Sequence, residues 1–262
     1  MDIYSRITKN GNNNAEKLPS VAMVFNGIIF EHEIKGYETL NVSGRETVSY
    51  STTTAGNNNE ILTKELNARN LQIQYALKAD TNNEFQKKFR EFNQLLETDG
   101  EDVEIRFIDD LEIEYRGQLT AMSEVPPETN SVVATFDIYC ASAWKEENEI
   151  VTTDNPAGIH LKSNYKTKPK RIELDIKAVT NKITVDNLTT GRHIILDGSY
   201  KSGDKIIIDI PGNKITKNGQ NIMSDLNYIE TDFHKFLIQS GDVIKATPSN
   251  TEMKIAIRTR WK

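Results

Sequence analysis

The side chains that most often carry chemistry in enzymes are few and scattered in this sequence. His32, His160, His193 and His234 lie far apart, and none has a second ligand at a spacing typical of metal sites. The single cysteine, Cys140, ends an apolar stretch, where a thiol is expected to be buried and inert. No serine-nucleophile elbow, His-Glu-x-x-His motif, phosphate-binding glycine loop or dinucleotide fingerprint occurs. Residue types and spacing therefore predict no enzyme, no cofactor and no metal site.

Carboxylates are the one reactive group that is dense in a short stretch of the chain. Two converging carboxylates could hydrolyse a polysaccharide, but the sequence indicates no such convergence, and the spacing is not that of a calcium loop. Val103, Ile105 and Phe107 instead alternate with charged residues, as in a β-hairpin with a buried face and an acidic face. The candidate acidic face comprises Glu101, Asp102, Glu104, Asp109, Asp110, Glu112 and Glu114.

Length and charge indicate two separately folding halves. The chain has 262 residues and a net charge of -6. Residues 1–150 hold 14 Lys and Arg against 26 Asp and Glu, whereas residues 151–262 hold 18 against 12, so the halves carry -12 and +6. The acidic half is unsuited to gripping nucleic acid, because phosphate binding needs clustered cations. The basic half is either a solubilised surface or a docking site for an acidic partner or an anionic cell-surface polymer.

Neither a membrane span nor an exported, disulfide-bonded protein is predicted. No apolar run approaches the roughly 20 residues that cross a bilayer, and Met1 to Asn10 lack the apolar core of a signal peptide. A single cysteine excludes a disulfide framework. We therefore expect a soluble protein made in the cytoplasm.

Local patterns predict a mainly β first half with one helix. Asn26-Gly27 between two β-rich runs predicts a hairpin, and alternation from Leu71 to Leu77 predicts a half-buried strand. Thr81 followed by Glu84 resembles a capping box. The helix that follows has one apolar stripe and ends near Asp99-Gly100; the stripe consists of Phe85, Phe89, Phe92, Leu95 and Leu96.

The second half repeats the β pattern without a helix and predicts a sandwich. Ile172, Leu174 and Ile176 alternate with charged residues, as do Ile206, Ile208 and Ile210. Few apolar residues occur from Trp144 to Pro156, which places the boundary there. The predicted domains are residues 1–145 and 158–262, with a linker at 146–157.

The order of several short motifs resembles one known family. The Phe25-Asn26-Gly27 hairpin precedes Gly44-Arg45, then Arg69 opens a strand, and the capped helix follows. The hairpin Phe107-Ile108-Asp109-Asp110 with Tyr115-Arg116-Gly117 comes next, then a strand ending at Cys140 and an all-β domain. This order resembles the distal tail proteins of long-tailed, siphovirus-type bacteriophages, mostly of Gram-positive hosts. In the family an acidic residue and a second glycine commonly follow Gly-Arg, whereas Glu46-Thr47 follow here.

The resemblance implies both a fold and a role. The implied fold is an N-terminal β-sandwich or split-barrel belt domain with one α-helix, followed by a galectin-like C-terminal β-sandwich. The implied role is a baseplate protein at the virion tail tip, assembled in the host cytoplasm, whose hexameric ring joins the tail tube protein to the tail-tip hub protein. The ring would support host-adsorption or receptor-binding proteins, and DNA would pass through it unbound.

Two surfaces are candidates for these tasks. The polar stretch from Ser49 to Ile61 is either an exposed loop or the tip of a hairpin arm that reaches a neighbouring subunit. The candidate arm residues are Tyr50, Thr52, Thr53, Thr54, Asn57, Asn58, Asn59 and Ile61. The acidic hairpin is the candidate wall of the DNA channel, because a wall that offers no Lys or Arg to replace the counterions of DNA lets a polyanion slide.

Other functions stay open at this point. A tail tube protein would share the fold of the first domain, although it would not need the basic sandwich. A carbohydrate-binding adhesin would use an exposed aromatic ring, for which Trp144, Trp261, Tyr200 and Tyr228 are the candidates.

Overall fold

The computed structural model describes residues 18–56 and 60–262, which form two compact units. The first unit contains the described residues up to Lys145 together with Lys262, and the second contains Glu146–Trp261. The chain is mainly β with one substantial helix, as the sequence predicts, and the described sheets do not close into a barrel. Among the described residues, no helix combines the length and the apolar character that a membrane crossing requires.

The first unit is an antiparallel sheet with one long helix and a separate hairpin. The bounds of its helices are α1 (Phe30–Glu33) and α2 (Asn82–Leu96). The bounds of its strands are β1 (Met23–Phe25), β2 (Ile28–Ile29), β3 (Tyr37–Ser43), β4 (Tyr50–Ala55), β5 (Glu60–Leu66), β6 (Arg69–Lys78), β7 (Val103–Phe107), β8 (Asp110–Met122) and β9 (Ser131–Cys140). The main sheet has the order β2-β1-β7-β8-β9-β6-β3, whereas β4 and β5 pair only with each other.

The first turn, the cap of the long helix and its apolar stripe form where the sequence predicts them. Asn26 and Gly27 both have positive φ, and they turn β1 into β2. The backbone N–H of Glu84 donates to Thr81 Oγ1 at 3.2 Å, so Thr81 caps α2 as predicted. The stripe of α2 faces the sheet, and Phe92 lies against Phe30, Tyr75 and Phe136 at ring distances of 4.8 to 5.6 Å. One short feature differs, because Phe30 begins the single turn α1 instead of continuing a strand.

The second unit is a two-sheet sandwich around one apolar core. The bounds of the sandwich strands are β11 (Ile150–Thr152), β12 (Ala157–Gly158), β13 (Arg171–Asp175), β14 (Thr180–Asn187), β15 (Arg192–Tyr200), β16 (Lys205–Asp209), β17 (Lys214–Lys217), β18 (Gln220–Asn221), β19 (Val243–Thr247) and β20 (Glu252–Ile257). Two short strands that pair with each other, β10 (Lys145–Glu147) and β21 (Arg260–Trp261), belong to neither sandwich sheet. One sheet has the order β11-β20-β13-β16-β17-β18 and the other β12-β19-β14-β15. The alternating apolar residues of β13, β16 and β20 are buried in the shared core, as their period predicts.

The segment predicted as a linker, residues 146–157, contains a β-strand that pairs with the sheet of the second unit. Strand β11 pairs with β20, with Ile150 opposite Ile257 and Thr152 opposite Ile255. Ile150 and Val151 are exposed, so this edge strand contributes little to the core. That exposure explains why its composition resembles a linker, since an edge strand can be stabilised by backbone hydrogen bonds without an apolar pattern.

Candidate functional site

The candidate arm is a two-stranded β-hairpin. Strands β4 and β5 pair from Tyr50 opposite Leu66 to Ala55 opposite Glu60, with a bulge beside Thr53 and Thr54. The structure thus brings Tyr50, Thr52, Thr53, Thr54 and Ile61 together, whereas Asn57, Asn58 and Asn59 lie outside the described residues. Ser49 to Ile61 is therefore ordered hairpin over its described part, which was one of the two predicted alternatives.

The hairpin exposes apolar side chains. Ile61 and Leu62 are 61% and 62% exposed, and neither strand pairs with the main sheet. A two-stranded hairpin with nothing packed on it is marginally stable in water. The arm is thus a surface suited to a partner, and Leu62, which the sequence analysis missed, belongs to it. The sequence pattern that could have indicated Leu62 is an isoleucine followed by a leucine within an otherwise polar segment.

The base of the arm is fixed by polar contacts. Ser51 Oγ donates to Asn67 Oδ1 at 2.6 Å, and the Asn67 N–H donates to the Ser49 carbonyl at 3.0 Å. Lys262 Nζ donates to the Tyr50 hydroxyl at 2.8 Å, and this hydrogen bond lowers the pKa of Tyr50. These hydrogen bonds fix the base of the hairpin to the rest of the first unit.

The acidic hairpin is less anionic on its surface than the sequence predicts. Glu114 is buried, and its Oε2 atom accepts a hydrogen bond from Arg106 Nη2 at 2.8 Å. Arg116 Nη1 lies 3.4 Å from Glu114 Oε1. Including Glu114 in an exposed acidic face is therefore wrong. Arg106 also pairs with Glu104. A β-bulge between Ile105 and Phe107 shifts the register of β7 against β8, which the residue alternation alone does not reveal.

The remaining candidate carboxylates divide by exposure. Asp109 is exposed but accepts a hydrogen bond from Arg45 Nη1 at 2.8 Å. Glu101 and Glu112 are exposed, while Asp102 and Asp110 are half-buried. The arginines of this hairpin and its neighbour, Arg45, Arg106 and Arg116, each contact at least one carboxylate.

The Gly44-Arg45 turn ties distant segments together. Arg69 is buried and donates to the Gly44 carbonyl at 2.8 Å and to the Ala143 carbonyl at 3.0 Å. Arg45 lies 4.6 Å from the centre of the Phe107 ring. Burial alone would lower the pKa of Arg45, but its hydrogen bonds to Asp109 and Tyr115 outweigh burial and raise it. These contacts hold the turn against the acidic hairpin, so Glu46-Thr47 is compatible with an ordered turn.

Gly44 is the most sterically constrained position of this turn. Its φ is +90°, and a Cβ atom there would lie 1.9 Å from the Asn70 carbonyl oxygen. We expect Gly44→Ala to lower the free energy of unfolding by roughly 2–4 kcal/mol, from the left-handed backbone and the clash together. Urea denaturation measures the loss. Gly100→Ala is the control, because its φ is +81° with nothing within 4 Å, and it should cost only about 1 kcal/mol.

Metal ligands and a reactive thiol are the two kinds of site that can be tested on the described residues. Among them, no group of three or more His, Cys, Asp or Glu side chains could hold a metal ion. Cys140 is buried, and burial raises its pKa to about 12, so its thiol stays protonated at neutral pH.

Most of the aromatic rings that could stack on a sugar are at least partly buried. Tyr200 is buried, and its hydroxyl donates to Asp225 Oδ2 at 2.9 Å. Trp261 Nε1 donates to Glu147 Oε1 at 3.2 Å, and Trp144 is half-buried. Of the four rings, only that of Tyr228 is largely exposed.

Comparisons with known proteins connect these features to phage tails. Residues 162–261 match the family described as the siphovirus-type tail component, C-terminal domain. The distal tail protein of Bacillus phage SPP1 is 27% identical over 196 residues, which cover 73% of this chain and 77% of that protein. The crystal structure of SPP1 Dit, described as a paradigm of the hub adsorption apparatus in phages infecting Gram-positive bacteria, has a similar fold. Its TM-score is 0.77 at 17% identity, and the match covers 93% of this chain and 100% of that one.

The fold match covers 93% of the chain and so includes parts of both units, whereas the family-model match lies within the second unit. Residues 162–261 thus resemble the siphovirus-type tail component C-terminal domain, and the resemblance of the chain to the distal tail protein family, indicated first by its motifs, is confirmed.

Proposed function

We propose that this chain is a distal tail protein, a structural component of the hub adsorption apparatus at the tip of a siphovirus-type phage tail. The observation that carries the proposal is the fold match to SPP1 Dit, which spans 93% of this chain and all of that one. The sequence match to the SPP1 distal tail protein supports the same role. The proteins it resembles are structural parts of tails, which agrees with the lack of a catalytic motif in the sequence.

The finer proposal is a hexameric ring that joins the tail tube protein to the tail-tip hub protein and supports host-adsorption proteins. A closed ring needs a head-to-tail contact between unlike surfaces of neighbouring copies. The arm hairpin supplies one such surface, because Ile61 and Leu62 are exposed and, among the described residues, neither strand pairs with a third strand. The arm of one copy would pack on the next copy around the ring.

The acidic hairpin is proposed as part of the wall of a central DNA channel. Glu101 and Glu112 are exposed there, and the arginines nearby contact carboxylates of the same unit. Cations held in this way are less available to replace the counterions of DNA phosphates. Duplex DNA would then slide past without being bound. The virion tail tip would be the site of the protein, with assembly in the host cytoplasm.

Imaging of purified protein and of whole virions tests the role. Six copies of a 29.7 kDa chain give a particle of about 180 kDa, so we expect six-fold rings by negative stain. Gold-labelled antibody on virions should mark one spot at the end of the tail. Label along the whole tube would indicate a tail tube protein instead. A secreted monomer absent from virions would contradict the proposal and favour an adhesin.

A further inference from the structure

One segment of the second unit contains positive charge and no negative charge. Residues 162–171 include five Lys and Arg and no Asp or Glu, and the closest carboxylates along the chain are those of Asp154 and Glu173. The segment leads into strand β13. The basic half of the chain is either a solubilised surface or a docking site for an anionic partner, and its cations are densest in this segment.

Burial alternates along the segment, so three lysines form a row. Thr167 and Pro169 are buried, whereas Lys166 and Lys168 are exposed and Lys170 is half-buried. A residue that precedes proline is restricted to extended backbone, which applies here to Lys168. Alternate residues of an extended chain lie roughly 6–7 Å apart on the same side. The lysine row, defined as Lys166, Lys168 and Lys170, therefore presents its charges in a line.

Backbone hydrogen bonds hold the lysine row in place. Thr167 and Ile238 each donate the N–H to the carbonyl of the other at 2.9 Å. At the end of the row, the Lys170 N–H donates to the Ala256 carbonyl at 2.8 Å. The backbone under the lysines is thus fixed before any partner binds, which reduces the entropy lost on association.

Two lysines of the row have no carboxylate beside them. Lys170 Nζ lies 2.8 Å from Glu146 Oε2, and Lys162, four residues before the row, lies 3.4 Å from Glu147 Oε1. In the part of the chain that the structure describes, neither Lys166 nor Lys168 forms an ion pair within 4 Å. The centre of the row therefore keeps its charge.

The segments that pack against the row leave this charge in excess. Residues 233–242, which pair with Thr167, hold Lys235 and Asp242, and Asp242 is buried with Asn187 donating to it at 2.8 Å. The end of the chain beside Lys170 holds three cations and one carboxylate, namely Lys254, Arg258, Arg260 and Glu252.

The remaining carboxylates of this neighbourhood are already paired. They are Glu146 and Glu147, described above, and Glu149 and Glu173, which both contact Arg171. In total the neighbourhood holds nine Lys and Arg against six Asp and Glu, a net charge of +3. An anionic partner is thus favoured over a neutral or cationic one.

A charged polymer complements the row better than a folded protein does. Interfaces between proteins are anchored by apolar or aromatic side chains, and of the exposed large hydrophobic residues only Tyr165 lies in this segment, at 36% exposure. The same scarcity of rings disfavours single-stranded nucleic acid, whose bases stack on aromatic side chains. Lysine ammonium groups bind phosphate as point charges, which suits phosphates repeated along a flexible chain.

We propose that the lysine row binds a phosphodiester polymer of the host cell surface, of the polyol phosphate class. Lys166 and Lys168 would replace the counterions of successive phosphates, with Lys170 at the end of the row. The inference rests on the proposed function in taking the chain to meet the host surface at the tail tip, which selects a surface polymer over DNA.

Binding of the purified full chain to fluorescent poly(glycerol phosphate), measured by anisotropy at several salt concentrations, tests the row. We expect Lys166→Gln with Lys168→Gln to weaken binding roughly tenfold, and to reduce the slope of log K against log salt by about 1 to 2. The matched control is Lys201→Gln with Lys214→Gln, which removes two exposed lysines of the same unit and the same charge. The control should bind like the parent. Equal losses in the two variants, or no binding by the parent, overturn the inference.

Two further probes identify the class of partner. Poly-glutamate represents an acidic protein and duplex DNA represents nucleic acid, each at the same concentration of charge. We expect both to bind the parent more weakly than poly(glycerol phosphate), and equal or tighter binding of either one overturns the inference. The two proposals fail in distinguishable ways. A chain that binds the polymer but is absent from virions contradicts the proposed function alone, whereas a chain found at the tail tip that does not bind it contradicts only the lysine row.

Discussion

A variant with aspartate at both Ile61 and Leu62 is expected to stay monomeric under conditions where the parent chain forms rings. Both side chains are exposed on the arm hairpin, so the substitutions should leave the fold of the first unit unchanged. Burying each side chain against a neighbour would contribute about 1.5–3 kcal/mol. Losing both should weaken each contact by roughly 10²- to 10⁴-fold. Sedimentation velocity over a range of protein concentrations measures the change.

The control for the arm is Val133→Asp. Val133 is exposed to a similar extent on strand β9 of the same unit, outside the arm. We expect this variant to form rings like the parent. A deletion of Thr52–Asn59 gives a coarser test of the same segment. If the double aspartate variant and the deletion both assemble normally, the arm has no essential role in the ring.

Replacing Arg106 by glutamine should destabilise the first unit more than any other single change to its charged residues. The guanidinium is buried and donates to Glu114 at 2.8 Å and to the Leu111 carbonyl at 2.6 Å. Without it, the buried Glu114 carboxylate loses its closest cation, which typically costs about 3–5 kcal/mol. Because whole domains are stable by only about 5–15 kcal/mol, the unit should unfold at a much lower urea concentration.

Two further variants separate this effect from a general loss of charge. Arg116→Gln removes a largely exposed guanidinium that lies 3.4 Å from the same carboxylate, and should cost at most about 1 kcal/mol. Arg106→Met combined with Glu114→Leu removes both buried charges and should recover much of the lost stability. A loss for Arg116→Gln as large as that for Arg106→Gln would show that burial of the pair is not the cause.

Features that depend on neighbouring residues were predictable from the sequence. The Asn26-Gly27 turn follows from two residues that tolerate positive φ, and the start of α2 follows from the Thr81 hydroxyl. Of the apolar stripe of α2, Phe85, Phe92 and Leu96 are buried whereas Phe89 and Leu95 are half-buried, and the alternating apolar residues of the sandwich are buried as predicted. Each of these signals lies within a few residues of the structure it specifies, so no long-range contact is needed to interpret it.

Features that depend on what covers a surface were not predictable. Alternation in the acidic hairpin indicates which side a residue faces, but it does not show that Glu114 is buried beside Arg106, nor that a bulge between Ile105 and Phe107 shifts the register. Strand β11 was expected as a linker, because the pairing with β20 is carried by backbone groups that every sequence has. The hydrogen bond from Lys262 to Tyr50 joins residues that are 212 positions apart in the chain.

The sequence by itself determined the mainly β class, the single long helix and the opposite charges of the two halves, since composition and short-range spacing encode all three. It also indicated the resemblance to distal tail proteins, through the order of its motifs along the chain. Only the tertiary structure decided which carboxylates are neutralised, that Leu62 belongs to the arm, and that Lys166 and Lys168 stand on a fixed backbone. These depend on contacts between segments distant along the chain, such as Thr167 with Ile238, and no local pattern specifies them.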